Sequence, residues 1–198
     1  MTEVNWLYQK PHKFHPGMTI LFQKELYQLL CNLVGDPTNN KNTNKLVAEK
    51  DFSLVQKYCP KLLNYLKILN LENTTIVPCF LISQNVTNKI HIDYPSNGVA
   101  LNVPILNCND TYTVWYDAKD RIETASAYAT DSWNEPAKSP MFDESTAVEL
   151  DRIDSNVPHW VNIAVPHAAV CNHNKVRINA SIRFSDTILN YLKKAYSC

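Results

Sequence analysis

The chain has 198 residues, enough for one compact domain with a substantial core and short for two. Hydrophobic residues make up 45% and charged residues 19%, which excludes a disordered chain. Nineteen basic residues balance nineteen acidic ones without any Lys/Arg run, which points away from nucleic acid and anionic membranes as partners. No apolar stretch approaches the roughly 18 residues that a bilayer span requires. Met1–Trp6 lacks the basic and apolar regions of a signal peptide, so the expected location is cytoplasmic.

In chain order, the first expected element is a helix over Met18–Val34, with Ile20, Leu21, Leu26, Leu29, Leu30 and Leu33 at helical spacing. It should stop at Gly35-Asp36-Pro37, and the polar run Asn39–Asn44 reads as a loop. Asp51 is placed to cap a second helix reaching about Leu71, with Leu54, Val55, Tyr58, Leu62, Leu63, Leu66 and Leu69 on its buried stripe. Pro60 should kink that helix or restart it as a first-turn proline. Residues 1–72 carry no catalytic candidate and are expected to form a helical cover over one face of a sheet.

From Ile76 the apolar period becomes two. Strands are expected over Ile76–Ser83, Ile90–Asp93, Val99–Leu106, Thr111–Tyr116, Val157–Val165 and Val176–Phe184, separated by Asn-, Pro- and Asp-rich turns. Many short strands at this spacing predict a sandwich or barrel, here residues 76–184. Only three glycines are present, so Asn is expected at some positive-φ turn positions. Residues 117–150 read as an insertion or lid, and Trp115, Tyr128 and Trp133 are aromatic candidates for substrate contact or plain packing. A short helix should close the chain within 186–198. The whole, residues 1–198, reads as a single domain, mostly β with flanking helices. Six cysteines contain no Cys-x-x-Cys pair, so neither a zinc site nor a disulfide framework is expected.

The chemistry concentrates in three places. His91-Ile92-Asp93 is followed downstream by Pro166-His167, and Arg177 lies ten residues after that histidine. Two histidines and one carboxylate can hold a non-haem Fe(II) and leave coordination positions open. An arginine adds a planar two-donor fork suited to a carboxylate. A His-x-Asp triplet alone arises by chance in about one such chain in three, so the downstream His and Arg carry the specificity. His91 and Asp93, two apart on a predicted strand, point to a common face. Along 176–184, Arg177, Asn179, Ser181 and Arg183 alternate with apolar residues. That polar row either faces water on a half-buried strand or lines a barrel mouth and grips an anion. His159, also preceded by a proline, rivals His167 and lies eighteen residues before Arg177.

The segments "HIDYPSNGVALNVPILNCNDTYTVWYDA" (His91–Ala118) and "VNIAVPHAAVCNHNKVRINASIRFS" (Val161–Ser185) resemble the Fe(II)/2-oxoglutarate-dependent dioxygenases. The resemblance implies a double-stranded β-helix (jelly roll, cupin-like) core preceded by N-terminal α-helices. It implies His91, Asp93 and His167 as Fe(II) ligands and Arg177 as partner of the far carboxylate of 2-oxoglutarate. Asn179 stands where many members have Ser, and Asn102 and Tyr116 fall in strands that commonly add co-substrate contacts. The implied activity consumes O₂ and hydroxylates a small molecule or a peptidyl side chain. His159 at its longer interval resembles the nucleic-acid-dealkylating branch, where two arginines also follow the distal histidine; His167 has the commoner interval. The alternatives are a cupin-like metal enzyme that does not use 2-oxoglutarate and a non-enzymatic β-sandwich binding protein. The resemblance covers neither the first seventy residues nor the identity of a substrate.

Overall fold

The computed structural model describes residues 16–39, 44–84, 89–93, 98–122, 140–184 and 188. Helix α1 (Pro16–Val34) ends at Gly35, whose φ of 73° closes the helix through a Gly35 N–H bond to the Cys31 carbonyl. Asp51 caps α2 (Phe52–Tyr58) by accepting from the Ser53 amide at 2.9 Å. Pro60 restarts the chain as α3 (Pro60–Ile68) rather than merely kinking it. The buried Glu25 of α1 accepts from the Lys61 and Leu62 amides at 3.0–3.1 Å, so one helix caps the next. No helix among the described residues is long and apolar enough to cross a membrane.

Among the described residues there are ten strands, the first between α1 and α2 and the rest after α3: β1 (Asn44–Ala48), β2 (Ile76–Gln84), β3 (Val99–Leu106), β4 (Thr111–Asp117), β5 (Arg121–Ile122), β6 (Met141–Phe142), β7 (Val148–Asp154), β8 (His159–Asn162), β9 (His167–Cys171) and β10 (Val176–Phe184). A five-stranded sheet has the order β1-β2-β10-β3-β8 and a three-stranded sheet the order β7-β4-β9, while β5 pairs with β6. Every pairing is antiparallel. His91 bridges the small elements by pairing with both His167 of β9 and Met141 of β6. The architecture is a double-stranded β-helix with helices ahead of it.

Strand alternation gives the large sheet two different faces. On the outer face Phe80, Ile82, Leu101, Val103, Ile178, Ala180 and Ile182 pack with Phe22, Leu26, Leu29, Val55, Leu62 and Leu66 of the helices. On the inner face lie Ser83, Asn102, His159, Arg177 and Asn179, opposite Thr113 and Trp115 of β4. Arg177 is 2% and Asn179 4% exposed, so this half of the polar row of β10 is enclosed between the sheets, while Ser181 and Arg183 are half-buried.

Several expectations change. The strand expected over Ile90–Asp93 shrinks to a bridge at His91. There the Asp93 amide turns to the Ile163 carbonyl, while the Val165 carbonyl accepts from the His167 ring. The strand expected over Val157–Val165 is only β8. The Asn162 side chain accepts from the Ala164 amide, and Pro166 has no N–H for a ladder, so the chain turns before β9. Residues 117–150 are not wholly an insertion: β5, β6 and the start of β7 lie within them. Strand β1 begins at the end of what reads as a loop. Residues 123–139, with Tyr128 and Trp133, lie outside the described residues, as does the expected C-terminal helix apart from the buried Ile188. Asn70, Asn107 and Asp110 take positive φ, as expected for a glycine-poor chain. Among the described residues, Cys31, Cys59, Cys79, Cys108 and Cys171 are free thiols.

Candidate metal centre

His91, Asp93 and His167 come together, with one donor atom from each lying within 4.8 Å of the others. The backbone brings the histidines side by side: the His91 and His167 amides each bond the other's carbonyl, at 3.0 and 2.9 Å. Their rings stand 4.6 Å apart. Each ring is held by the carbonyl two residues upstream, with Nδ1 of His91 2.8 Å from the Lys89 oxygen and Nδ1 of His167 2.8 Å from the Val165 oxygen. A carbonyl only accepts, so Nδ1 carries the proton and the neutral ring presents a lone pair at Nε2. That is the tautomer a metal ligand needs.

Both Nε2 atoms face the Asp93 carboxylate, His91 at 3.5 Å from Oδ1 and His167 at 3.4 Å from Oδ2. These contacts are long for charge-assisted hydrogen bonds. Two ring lone pairs and a carboxylate gathered at this spacing suit a divalent cation between them. Arg183 Nη1 lies 2.8 Å from Asp93 Oδ2. Burial disfavours the charged form of Asp93, but Arg183, followed by His167 and His91, outweighs it and holds the carboxyl well below its ordinary pKa. Burial also works against an imidazolium at both histidines. At His91 the Asp93 carboxylate prevails and the pKa rises; at His167 burial and the neighbouring His91 prevail and it falls.

A second polar group lies on the same inner face. Arg177 has no ion pair among the described residues, and its Nε has no hydrogen-bond partner. Ser83 is its register partner on β2, and Ser83 Oγ, Asn179 Oδ1 and Asn102 Oδ1 are also buried without partners. Such groups ordinarily find partners; the Arg177 guanidinium and the Ser83 hydroxyl can donate to an anionic ligand, whereas the two amide oxygens can only accept. The guanidinium lies beside the Cys108 thiol, whose pKa burial raises against the pull of that charge.

His159 does not join the triad. It is fully buried, with Nδ1 2.8 Å from the Val157 oxygen and Nε2 3.2 Å from Thr113 Oγ1. Burial first, with the Arg177 charge adding to it, lowers its pKa to about 4. Tyr116 does not join the polar group either. It packs against Ile90, Phe142 and Ala168 on the outer side of β4, with its amide bonded to Pro166. Trp115, one residue earlier, points inward and donates from Nε1 to the Asn162 carbonyl at 3.2 Å, which makes it packing among Ala100, Val161 and Ile163. Sequence reasoning gave no role to Ser83 and gave Arg183 only a share in the anion-gripping polar row, not a contact with Asp93. The alternation of β10 could place Arg183 on the inner face but could not show that it reaches Asp93.

No protein-family model matches the chain, and no curated protein matches it significantly. Among solved structures, the fold is similar to that of SnoK, a non-heme alpha ketoglutarate dependent carbocyclase from nogalamycin biosynthesis. The TM-score is 0.51 at 11% identity over 94% of this chain and 84% of that one. EvdO2 from Micromonospora carbonacea var. aurantiaca, complexed with 2-oxoglutarate, gives a TM-score of 0.49 at 9% identity over 88% of this chain and 91% of that one. An oxalate decarboxylase, OxdC, of Bacillus subtilis gives 0.33 at 8% identity over 75% of this chain and 27% of its own length. At these identities the likeness concerns the scaffold alone.

Proposed function

We propose that this protein is a non-haem Fe(II)- and 2-oxoglutarate-dependent oxygenase that hydroxylates a small molecule or a peptidyl side chain. His91, Asp93 and His167 hold the metal, and Arg177, with Asn179, Asn102 and Ser83 around it, takes the far carboxylate of 2-oxoglutarate. The observation that carries the reading is the buried Arg177, without an ion pair among the described residues, on the same enclosed face as two histidines and a carboxylate. A metal triad alone suits many reactions. A triad accompanied by an unpaired buried guanidinium suits a co-substrate with a carboxylate at its far end.

Iron(II) held by such a triad supplies one-electron chemistry with O₂ that no side chain can perform. Overall the reaction consumes O₂ and 2-oxoglutarate and releases succinate and CO₂ with the hydroxylated product. The chain's own residues bind and orient. The Lys89 and Val165 carbonyls fix the histidine tautomers, Arg177 sets the depth at which the dicarboxylate sits, and the sheets exclude water around both. The likeness to SnoK supports this reading only by showing the scaffold.

The test is anaerobic addition of Fe(II) and 2-oxoglutarate to metal-free protein, reading the metal-to-ligand charge-transfer band of the chelate. The band is expected in wild type and in His159→Ala, and is expected to vanish in His167→Ala and Asp93→Ala. Metal binding without a band would turn the reading to a cupin-like metal enzyme that does not use 2-oxoglutarate. No metal binding by folded protein would turn it to a non-enzymatic β-sandwich.

A further inference from the structure

Arg177 sits where the β3–β10 ladder ends. Pro104 of β3 has no N–H, and the pairing shifts there: Asn179 faces Pro104 while Ile178 faces Leu106, which leaves Ile105 as the extra residue of a bulge. Beyond Leu106 the chain turns through Asn107, at a φ of 49°, and side chains take over from the backbone ladder. Nδ2 of Asn107 donates to the Val176 carbonyl at 2.8 Å, and the Cys108 thiol lies 3.2 Å from the Ile178 carbonyl. The turn thus holds the residues on both sides of Arg177. It is itself held, because Thr111 Oγ1 donates to the Cys108 carbonyl at 2.7 Å and the His173 ring to the Asn107 carbonyl at 2.8 Å.

We propose that Cys108 is a positioning residue that steadies the Arg177 guanidinium without neutralising it. The inference rests on the co-substrate reading above. A guanidinium that must take a ligand's carboxylate needs a partner to fix its orientation. A carboxylate in that role would occupy the fork that the ligand requires. A thiol is a weak acceptor and carries no charge while protonated. Cys108 is 6% exposed and burial raises its pKa, so it stays a thiol. Its one hydrogen goes to the Ile178 or the Leu106 carbonyl, 3.2 and 3.4 Å away, and the sulfur lone pairs remain for the guanidinium beside it. The Nε of Arg177, without a partner of its own, stays available to a ligand. Cys108 therefore touches no ligand and acts through Arg177 alone.

The test is a double-mutant cycle on 2-oxoglutarate affinity, read from the charge-transfer band of the anaerobic Fe(II) complex of the whole chain. Cys108→Ala is expected to weaken 2-oxoglutarate about tenfold, the loss of one hydrogen bond to a charged group. Its affinity for Fe(II) alone should not change, because the metal is held elsewhere. In an Arg177→Met background, Cys108→Ala should have no further effect, since the group it steadies is gone. Cys108→Ser keeps a neutral donor and acceptor and should restore most of the affinity that Cys108→Ala loses. Should Cys108→Ala fail to fold, Cys108→Val, which fills the space without a polar atom, runs the same cycle. Wild-type affinity in folded Cys108→Ala would overturn this inference alone, as would an equal loss in the Arg177→Met background. Wild-type protein that gives no band would overturn the co-substrate reading and this inference with it.

Discussion

The two faces of the five-stranded sheet are both buried, yet they are buried for different purposes. The outer face meets α1, α2 and α3 through Phe80, Ile82, Leu101, Val103 and Ile178, apolar groups that lose nothing by leaving water. The inner face encloses Arg177, Asn179, Ser83 and Asn102, each with a polar atom left without a partner. An unsatisfied buried polar group costs about 1–3 kcal/mol, so the inner face works against the stability that the outer face supplies. Burial alone therefore does not mark a core. A cluster of unmet polar groups around a guanidinium is what sets the inner face apart, since a single atom such as Trp160 Nε1 lacks a partner in the apolar core too. Strand β10 shows both cases in one run, with Ile178, Ala180 and Ile182 outward and Arg177 and Asn179 inward.

The contrast can be broken by substituting on either side. Phe80→Ala, at a fully buried outer position, should cost about 3–5 kcal/mol of stability by transfer loss and cavity formation. Its folded fraction should still bind cobalt as wild type does; urea unfolding and metal titration read the two effects separately. Arg177→Met should do the reverse. Replacing an unpaired buried charge by an apolar side chain should leave the melting temperature unchanged or raised. Affinity for 2-oxoglutarate should fall roughly 100-fold, about 3 kcal/mol, for loss of a buried charge partner. A destabilised Arg177→Met protein would mean that the inner face is an ordinary satisfied core.

His159 sharpens the contrast, because it is an inner-face residue that is fully satisfied. Its Nδ1–H donates to Val157, and Thr113 Oγ1 donates to its Nε2. Burial depresses its pKa from 6.5 to about 4, so the folded state resists protonation that the unfolded chain accepts. Its contribution is complete above pH 6.5, declines as pH falls through that value, and is fully lost below about 4. At pH 5 the loss is about 2 kcal/mol. The difference in urea midpoint between wild type and His159→Gln, followed from pH 7.5 to 4.5, isolates this residue from the other histidines. A difference that stays constant with pH would show that His159 is not held neutral.

Much of this was legible in the chain. The stop at Gly35, the cap at Asp51 and the restart at Pro60 follow from local backbone chemistry, β10 from an unbroken period of two and β3 from a nearly continuous apolar run. The exposed edge strand β7 was not legible, since VELDRID has no apolar face to read. The single-residue bridge at His91 and the short β9 depend on each other and carry little local signal. Tyr116 and Trp115 differ by one step of parity, which sequence could not assign with the site in mind. His159 and His167 share one local pattern, a preceding proline and a ring nitrogen on the carbonyl two residues back. What separates them is pairing. His159 lies on β8 opposite Asn102, while His167 lies on β9 opposite His91.

The smallest expected effect lies on the helical side, where the one buried carboxylate of α1 is the counterpart of Arg177. Glu25 is 8% exposed and, unlike Arg177, has its partners: the Lys61 and Leu62 amides at the start of α3. Those amides belong to the first turn, whose N–H groups have no acceptor within the helix, and the carboxylate also sits at the positive end of the helix dipole. Glu25→Gln keeps one acceptor oxygen and removes the charge, so it should cost about 1 kcal/mol. Glu25→Ala, which leaves the amides bare, should cost about 2 kcal/mol. Urea unfolding with an unchanged slope reads both, and cobalt affinity should not move in either variant. If Glu25→Gln proved as stable as wild type, partner satisfaction would not be what distinguishes the two buried faces, and the case for a ligand at Arg177 would weaken with it.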